Sequence, residues 1–203
     1  MKLKNLTIVA SLIAAIVLTT APAAAIDEPA PTGVPAAQDG LLPIRLTMVA
    51  QGLGEVVSGQ ARLEITISRL STQEEADLLI GALREMGPGA VRDELQKLPE
   101  AGRARLSAEL SYPIQFARLF RNEGGGYNIV LATDRDIEPW EAYYRTRSLD
   151  YDLVLAELRL NDDLTGEGVL ASGVMLGYQA DTDTVIIEDY DTRPVRLKQV
   201  RVR

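Results

Sequence analysis

The chain has 203 residues, with 21 lysines and arginines against 29 aspartates and glutamates, and its net charge is −8. This acidic balance argues against nucleic acid as a partner, because an acidic surface repels phosphates. The chain contains neither cysteine nor histidine. That composition excludes disulfide bonds, catalysis by Ser-His-Asp or Cys-His groups, and zinc sites built from the usual ligands.

The first 25 residues have the pattern of a secretory signal peptide. Lys2 and Lys4 precede an uncharged apolar run from Leu6 to Leu18, and small residues follow up to Ala25. The run is shorter than the roughly 20 residues that a membrane-spanning helix needs. We therefore expect cleavage after Ala25 and an exported product, periplasmic or secreted, without a transmembrane anchor. Loss of the two lysines would take the net charge from −8 to −10.

Residues 26–40 are rich in proline and alanine and have little apolar periodicity, which is typical of a disordered leader. Residues 41–203 are then long enough for a single domain with its own core. Apolar and polar residues alternate over 44–51 and again over 61–68. This period of two predicts an antiparallel pair of strands with one buried face.

A helical hairpin is predicted over residues 71–98, between strands 2 and 3. Ser71 and Glu74 have the spacing of a capping box, and apolar residues follow at helical intervals. Gly87 and Pro88 end the first helix, and the proline can begin the second. We expect this hairpin to cover an open end or an edge of the sheet.

The remainder of the chain is predicted to be mainly β-structure. Alternating patterns predict strands near 112–120, 127–133, 154–160, 169–178, 185–190 and 194–203, and a short helical segment is predicted at 137–144. The fold class is therefore α+β and mainly antiparallel. Because about eight or nine strands joined by hairpins tend to close, we expect a rolled or barrel-like sheet.

Two features predict irregular strands. Gly173 and Gly177 lie inside a strand, where glycine often marks a bulge or sharp coil. In the last strand, the apolar positions change parity between Leu197 and Val200. A bulge near Lys198 and Gln199 would return both sets of apolar residues to one face.

Three carboxylates, Asp134, Asp136 and Glu138, lie within five residues. Because glycoside hydrolysis uses two carboxylates at a set separation, this cluster is a candidate catalytic site for a carboxylate-dependent hydrolase of the glycan class. In the structural interpretation, the two aspartates cap the short helix and Arg135 pairs with one of them. The sequence favours the structural interpretation, so the leading hypothesis assigns no catalytic residue.

A candidate ligand-binding set lies near this cluster. Trp140, Tyr143 and Tyr144 have helical spacing, and the single tryptophan is more typical of a core or lid anchor than of a ligand platform. Arg118 interrupts the apolar face of a predicted strand. With Arg135, these residues are the predicted ligand-binding residues.

A calcium site is a weaker candidate. Asn161, Asp163 and Thr165 have side-chain oxygens at positions one, three and five of a loop with Gly166 at position six, as an EF-hand loop does. The twelfth position is Ser172, where an EF-hand has glutamate. Because the loop also joins two predicted strands, a polar hairpin turn is favoured, and no metal or cofactor is predicted.

The end of the chain is basic, although the whole chain is acidic. Two interpretations are open for these cations. They protect an edge strand from pairing with other chains, or they bind anionic envelope polymers or lipid headgroups. The residues are Arg193, Arg196, Lys198, Arg201 and Arg203.

Several motifs resemble an uncharacterised family of exported bacterial proteins. These are Ala132-Thr133-Asp134-Arg135, Trp140-Glu141, Arg147-Ser148-Leu149-Asp150-Tyr151 and Arg193-Pro194-Val195-Arg196-Leu197. The resemblance covers most of residues 41–203 and implies the same domain boundaries. It implies no functional residues, because that family has no assigned activity.

The sequence is therefore compatible with three functions. The leading hypothesis is a non-enzymatic exported domain that binds a small molecule or an envelope component, because two-faced strands can surround a cavity and the usual catalytic residue types are missing. The first alternative is a hydrolase that uses Asp134, Asp136 or Glu138. The second is a structural partner in an envelope assembly, which would use the basic C-terminal strand. The sequence leaves the oligomeric state open.

Overall fold

The computed structural model describes residues 42–51, 60–106, 110–122, 125–134, 153–181, 184–190 and 194–203. The predicted signal peptide and leader lie outside the described residues, and so does the helical segment predicted at 137–144. Within the described ranges, neither helix has the length and apolar character needed to cross a membrane.

The described residues form ten strands and two helices. Strands β1 to β5 are Ile44–Gln51, Gln60–Ile67, Gly102–Leu106, Leu110–Ile114 and Phe116–Arg121. Strands β6 to β10 are Tyr127–Thr133, Leu153–Leu160, Thr165–Gln179, Thr184–Tyr190 and Val195–Val202. Helices α1, Gln73–Met86, and α2, Pro88–Leu95, form a hairpin between β2 and β3. The predicted α+β class and the position of the hairpin are confirmed.

The strands pair in the order β4-β3-β2-β1-β10-β8-β7-β6-β5, and β9 pairs with the far half of β8. The two terminal strands of this order, β4 and β5, are separated in the chain only by Gln115. The Gln115 N–H donates to the Ala132 carbonyl at 3.2 Å, and Thr133 Oγ1 donates to the Pro113 carbonyl at 2.9 Å. The antiparallel sheet is therefore nearly closed and barrel-like, as predicted.

The inner face of the sheet forms the main core. One row of cross-strand neighbours runs from β5 to β10 and is buried throughout: Ala117, Leu131, Ala156, Leu170 and Val195. Removal of this apolar surface from water is the main force that holds the barrel together. Further side chains of this core are almost fully buried, namely Leu46, Met48, Leu63, Ile65, Leu158 and Leu197.

The outer face of β5 to β8 forms a second core with the helical hairpin. The neighbouring row of cross-strand partners is one residue away from the inner row on each strand, so it faces outward. This row consists of Phe116, Ala132, Leu155 and Ala171. The buried helix residues of the same cluster are Ala76, Leu83, Val91 and Leu95. This part of the sheet is therefore apolar on both faces.

Helix α1 begins one residue later than predicted. Its capping box consists of Thr72 and Glu75: Thr72 Oγ1 accepts from the Glu75 N–H at 3.3 Å, and the Glu75 carboxylate accepts from the Thr72 N–H at 2.9 Å. Ser71 instead pairs with the free edge of β5. Its N–H donates to the Ala117 carbonyl at 2.7 Å, and its Oγ accepts from the Ala117 N–H at 3.1 Å. The hairpin thus covers one edge of the sheet at this point.

Both predicted irregularities in the strands are confirmed. Gln199 has a φ of 55°, and the register of β10 against β8 shifts between Leu197 and Val200. As a result, both of these residues are fully buried. Gly173 has a φ of 63°, and the register of β7 against β8 shifts beside it.

Two features of the sheet differ from the sequence-based expectation. No strand is predicted at residues 102–106, where the structure has β3. Its sequence is Gly-Arg-Ala-Arg-Leu, and its small apolar residues give a weak strand pattern. Strand β10 lies between β1 and β8 and pairs with both. The interpretation of the C-terminal cations as protection of an edge strand is therefore wrong, because β10 is not an edge.

Candidate functional site

A cavity of about 90 Å³ lies between the helical hairpin and the outer face of the sheet. Leu83 and Leu95 line it from the helices, and Phe116 and Leu155 line it from the sheet. Ala132 also faces the cavity, and its short side chain leaves space between the two layers. The cavity therefore arises where a small residue of the outward row lies beneath the hairpin.

The cavity lies outside the barrel. Its sheet residues point outward, whereas inward side chains such as Leu158 and Leu197 pack in the main core and are fully buried. The expectation of a cavity surrounded by the strands stays a prediction, and the cavity described here lies on the other face of the sheet. The cavity lies where the hairpin packs against the outer face of the sheet. Alternation of apolar and polar residues along the strands does not show where the hairpin packs.

Arg118 brings a charge to this cavity. Among the described residues that line it, Arg118 alone has a polar side chain, and it is only 6% exposed. Its Nη2 donates to Gln73 Oε1 at 3.0 Å, and its Nη1 donates to the Thr72 carbonyl at 3.4 Å. Its Nε is buried and has no hydrogen-bond partner. The buried Arg118 guanidinium thus has one N–H donor, at Nε, without an acceptor.

The positive charge of Arg118 is only weakly compensated. In the described part of the chain it forms no ion pair, and Asp77 on α1 attracts it from a longer distance. Burial lowers the pKa of the Arg118 guanidinium, and Asp77 opposes this shift; arginine nevertheless remains protonated in proteins. The Arg118 guanidinium carbon lies 5.4 Å from the centroid of the Phe120 ring, which adds a cation–π contact.

Of the three carboxylates in the predicted catalytic cluster, only Asp134 lies in the described residues. Its two carboxylate oxygens accept from Gln96 Nε2 and Gln115 Nε2, both at 2.9 Å. These bonds join the end of α2 to the corner between β4 and β5, so Asp134 connects the hairpin to the sheet. Asp136 and Glu138 lie outside the described residues, and the hydrolase site stays a prediction.

The structure brings one member of the predicted ligand-binding set, Arg118, to the cavity. Arg135, Trp140, Tyr143 and Tyr144 lie outside the described residues. The sequence does not predict that the hairpin forms the second wall of the cavity. The apolar spacing along α1 shows which helix face is buried, but it does not show which face of the sheet lies beneath it.

The candidate calcium loop is a polar turn between β7 and β8. Asp163 Oδ1 accepts from the Thr165 hydroxyl at 2.7 Å and from the Thr165 N–H at 3.0 Å, and these bonds lower the pKa of Asp163. The Asn161 N–H donates to the Thr165 carbonyl at 2.8 Å. Side-chain to backbone bonds of this kind are typical of turns. In the described ranges, no three acidic side chains are grouped to hold a metal ion.

No protein family, curated protein or solved structure matches this chain. The resemblance to a family of exported bacterial proteins therefore stays a prediction.

Proposed function

We propose that this protein is exported and that it binds a small amphiphile in the cavity between the hairpin and the sheet. The ligand has an acidic head group and an apolar body. One observation carries this proposal: Arg118 is a buried cation with an unpartnered Nε, and its side chain lines a cavity whose other described walls are apolar.

The acidic head group follows from the state of Arg118. A buried guanidinium loses its hydration, and an incomplete set of partners does not replace it. A carboxylate or phosphate would accept a charge-assisted hydrogen bond from Nε and neutralise the charge. A neutral ligand would supply at most a weaker acceptor. The acid is therefore the chemistry that this residue recognises best.

The apolar body follows from the remaining walls. The cavity is larger than the roughly 10–15 Å³ that one water molecule needs, yet a water molecule there would find few polar partners. A short alkyl chain would instead bury apolar surface against leucine, phenylalanine and alanine side chains. Because drug-sized ligands occupy roughly 300–1,000 Å³, we expect a small ligand.

The proposed activity is binding without catalysis. The described residues around the cavity are aliphatic or aromatic apart from Arg118, and they offer neither a nucleophile nor a general base. An arginine holds and orients an acid but does not exchange protons at neutral pH.

Calorimetric titration with octanoate and 1-octanol tests the head-group preference. We expect octanoate to bind about ten to a hundred times more tightly, since a charge-assisted hydrogen bond is strong in a dry site. In Arg118→Met the two ligands should bind with similar affinity. Arg121→Met is the matched control, because Arg121 is exposed on the same strand. Equal binding of both ligands to the wild type, or no binding of either, would contradict the proposal.

A second variant tests the location. Ala132→Leu places a larger side chain in the cavity and should weaken the binding of both ligands at least about tenfold. Ala180→Leu adds the same atoms at an exposed turn and should leave binding unchanged. If Ala132→Leu kept full affinity while remaining folded in circular dichroism spectra, the ligand would not occupy this cavity.

A further inference from the structure

A second surface is formed by the outer face of β3, β2, β1 and β10. We call it the basic face. It carries seven outward cations, which alternate along their strands with residues of the main core. These cations are Arg45, Arg62, Arg103, Arg105, Arg196, Lys198 and Arg201. Three of them belong to the C-terminal strand, and the structure adds four from strands that are distant in sequence.

Acidic side chains neutralise only part of the basic face. Arg62 pairs with Glu64 at 2.9 Å, Arg103 approaches Glu100 at 3.7 Å, and Lys198 pairs with Glu167. The remaining cations form no ion pair within the described part of the chain; they are Arg45, Arg105, Arg196 and Arg201. Of these, Arg196 is attracted by Glu167 without direct contact, and Arg105 has Glu64 as its neighbour on β2. In a chain whose net charge is −8, this asymmetry produces a local positive field that attracts anions.

The cross-strand register places these cations at intervals around the barrel. Arg103, Thr66 and Arg45 are successive partners on β3, β2 and β1. Because neighbouring strands lie about 4.8 Å apart, the two arginines are separated by about 10 Å. In the adjacent row, Arg105 and Arg201 are three strands apart, or about 14 Å. Glu64 and Thr47 lie between them, and Glu64 is the carboxylate that pairs with Arg62. Repeated positive charges at such spacing suit a chain of repeated negative charges.

The side chains between the cations indicate which polyanion fits. Thr47, Thr66 and Gln51 are outward neighbours of the arginines, and their hydroxyl and amide groups can hydrogen-bond sugar hydroxyls. Among the described outward positions of these strands there is no aromatic ring on which nucleic acid bases could stack. The apolar outward residue is Val49, which is too short to insert into the acyl region of a membrane.

We propose that the basic face binds a linear acidic polysaccharide whose carboxylates are spaced along the chain. Arginine suits this role because its guanidinium can donate two parallel hydrogen bonds to one carboxylate. The convex outer surface of a nearly closed sheet contacts a thin polymer along several rows but a flat bilayer over a smaller area. This surface and the cavity rest on different residues, so either proposal can fail without the other.

Alginate fragments, which carry one carboxylate per sugar, are the probe. We expect them to bind the purified protein, with an affinity that falls as salt concentration rises. The double variant Arg45→Gln with Arg201→Gln should weaken binding about tenfold or more. The control, Arg84→Gln with Arg121→Gln, makes the same change of charge at exposed positions outside the basic face and should keep near wild-type affinity.

Thermal unfolding should be similar for both double variants, since the substituted side chains are exposed. Equal weakening by the control variant would show a non-specific charge effect and overturn the proposal, as would undetectable binding of alginate. Tighter binding to anionic vesicles or to single-stranded DNA than to alginate would overturn the choice of a polysaccharide.

Discussion

The substitution Arg118→Met tests whether Arg118 is retained for ligand binding or for the stability of the fold. Arg118 has one hydrogen bond of good length, 3.0 Å to Gln73, and a longer one of 3.4 Å to the Thr72 carbonyl. The hydrogen bond to Gln73 contributes about 1.5–3 kcal/mol to the free energy of unfolding, because the donor is charged. The contact with Phe120 adds about 0.5–2 kcal/mol.

The contributions by which Arg118 destabilises the folded protein are larger. Burial of the guanidinium costs several kcal/mol, and the partnerless Nε adds about 1–3 kcal/mol. Methionine has no group that needs a partner and packs well against an aromatic ring such as Phe120. The groups that Arg118 would release belong to Gln73 and Thr72, which are exposed and can bond to water. We therefore expect Arg118→Met to raise the free energy of unfolding by about 1–2 kcal/mol.

Urea denaturation followed by circular dichroism measures this change. Arg121→Met should lower the free energy of unfolding by no more than about 1 kcal/mol, since it removes only an exposed cation–π contact with Tyr127. A more stable Arg118→Met variant that has lost its preference for octanoate would show that the arginine is retained for binding. A loss of stability of more than about 2 kcal/mol would refute the reasoning, because Arg118 would then be a structural anchor of the hairpin.

Three further variants test the local structure, each by urea denaturation. Gln199→Gly should stabilise the protein by about 0.5–1 kcal/mol, because Gln199 has a φ of 55°; a loss would contradict the bulge. Gly126→Ala should destabilise it by about 1–3 kcal/mol, since Gly126 has a φ of 76° and its added Cβ would clash with a carbonyl of β7. Burial alone would raise the pKa of Glu75, but bonds from Arg69 and Thr72 lower it below the usual 4.5. This stabilisation is present above pH 4.5 and is lost as the pH falls through the lower folded pKa. Glu75→Gln should therefore cost about 1 kcal/mol at neutral pH and less at acidic pH, whereas an equal cost at both would contradict the assignment.

The sequence predicts the sheet well where apolar residues alternate. In β10, the change of parity between Leu197 and Val200 predicts the bulge that the structure places at Gln199. The prediction succeeds because only one face of this strand is buried, and a slip of one residue would expose its apolar side chains. Strand β3 is harder to predict, because Gly102 and Ala104 give little apolar contrast.

Tertiary contacts limit the remaining predictions. Ser71 and Thr72 are both good N-cap residues, and the choice between them depends on the pairing of Ser71 with β5. The sequence shows that Arg118 interrupts an apolar face. It does not show that the hairpin covers this face, because apolar residues on both faces of a strand indicate burial on both sides but not which element supplies the second layer. The cavity therefore becomes visible only in the folded chain.

The most direct test of the proposed binding site is a titration with octanoate, observed by nuclear magnetic resonance of arginine Nε–H and methyl groups. We predict that the Arg118 Nε–H signal shifts together with the methyl signals of Leu83 and Ala132, which line the cavity. The methyl signals of Leu158 and Leu197 in the main core should stay unchanged. An unchanged Arg118 signal at saturating octanoate, or shifts confined to the main core, would contradict the proposal that this cavity binds an acidic amphiphile.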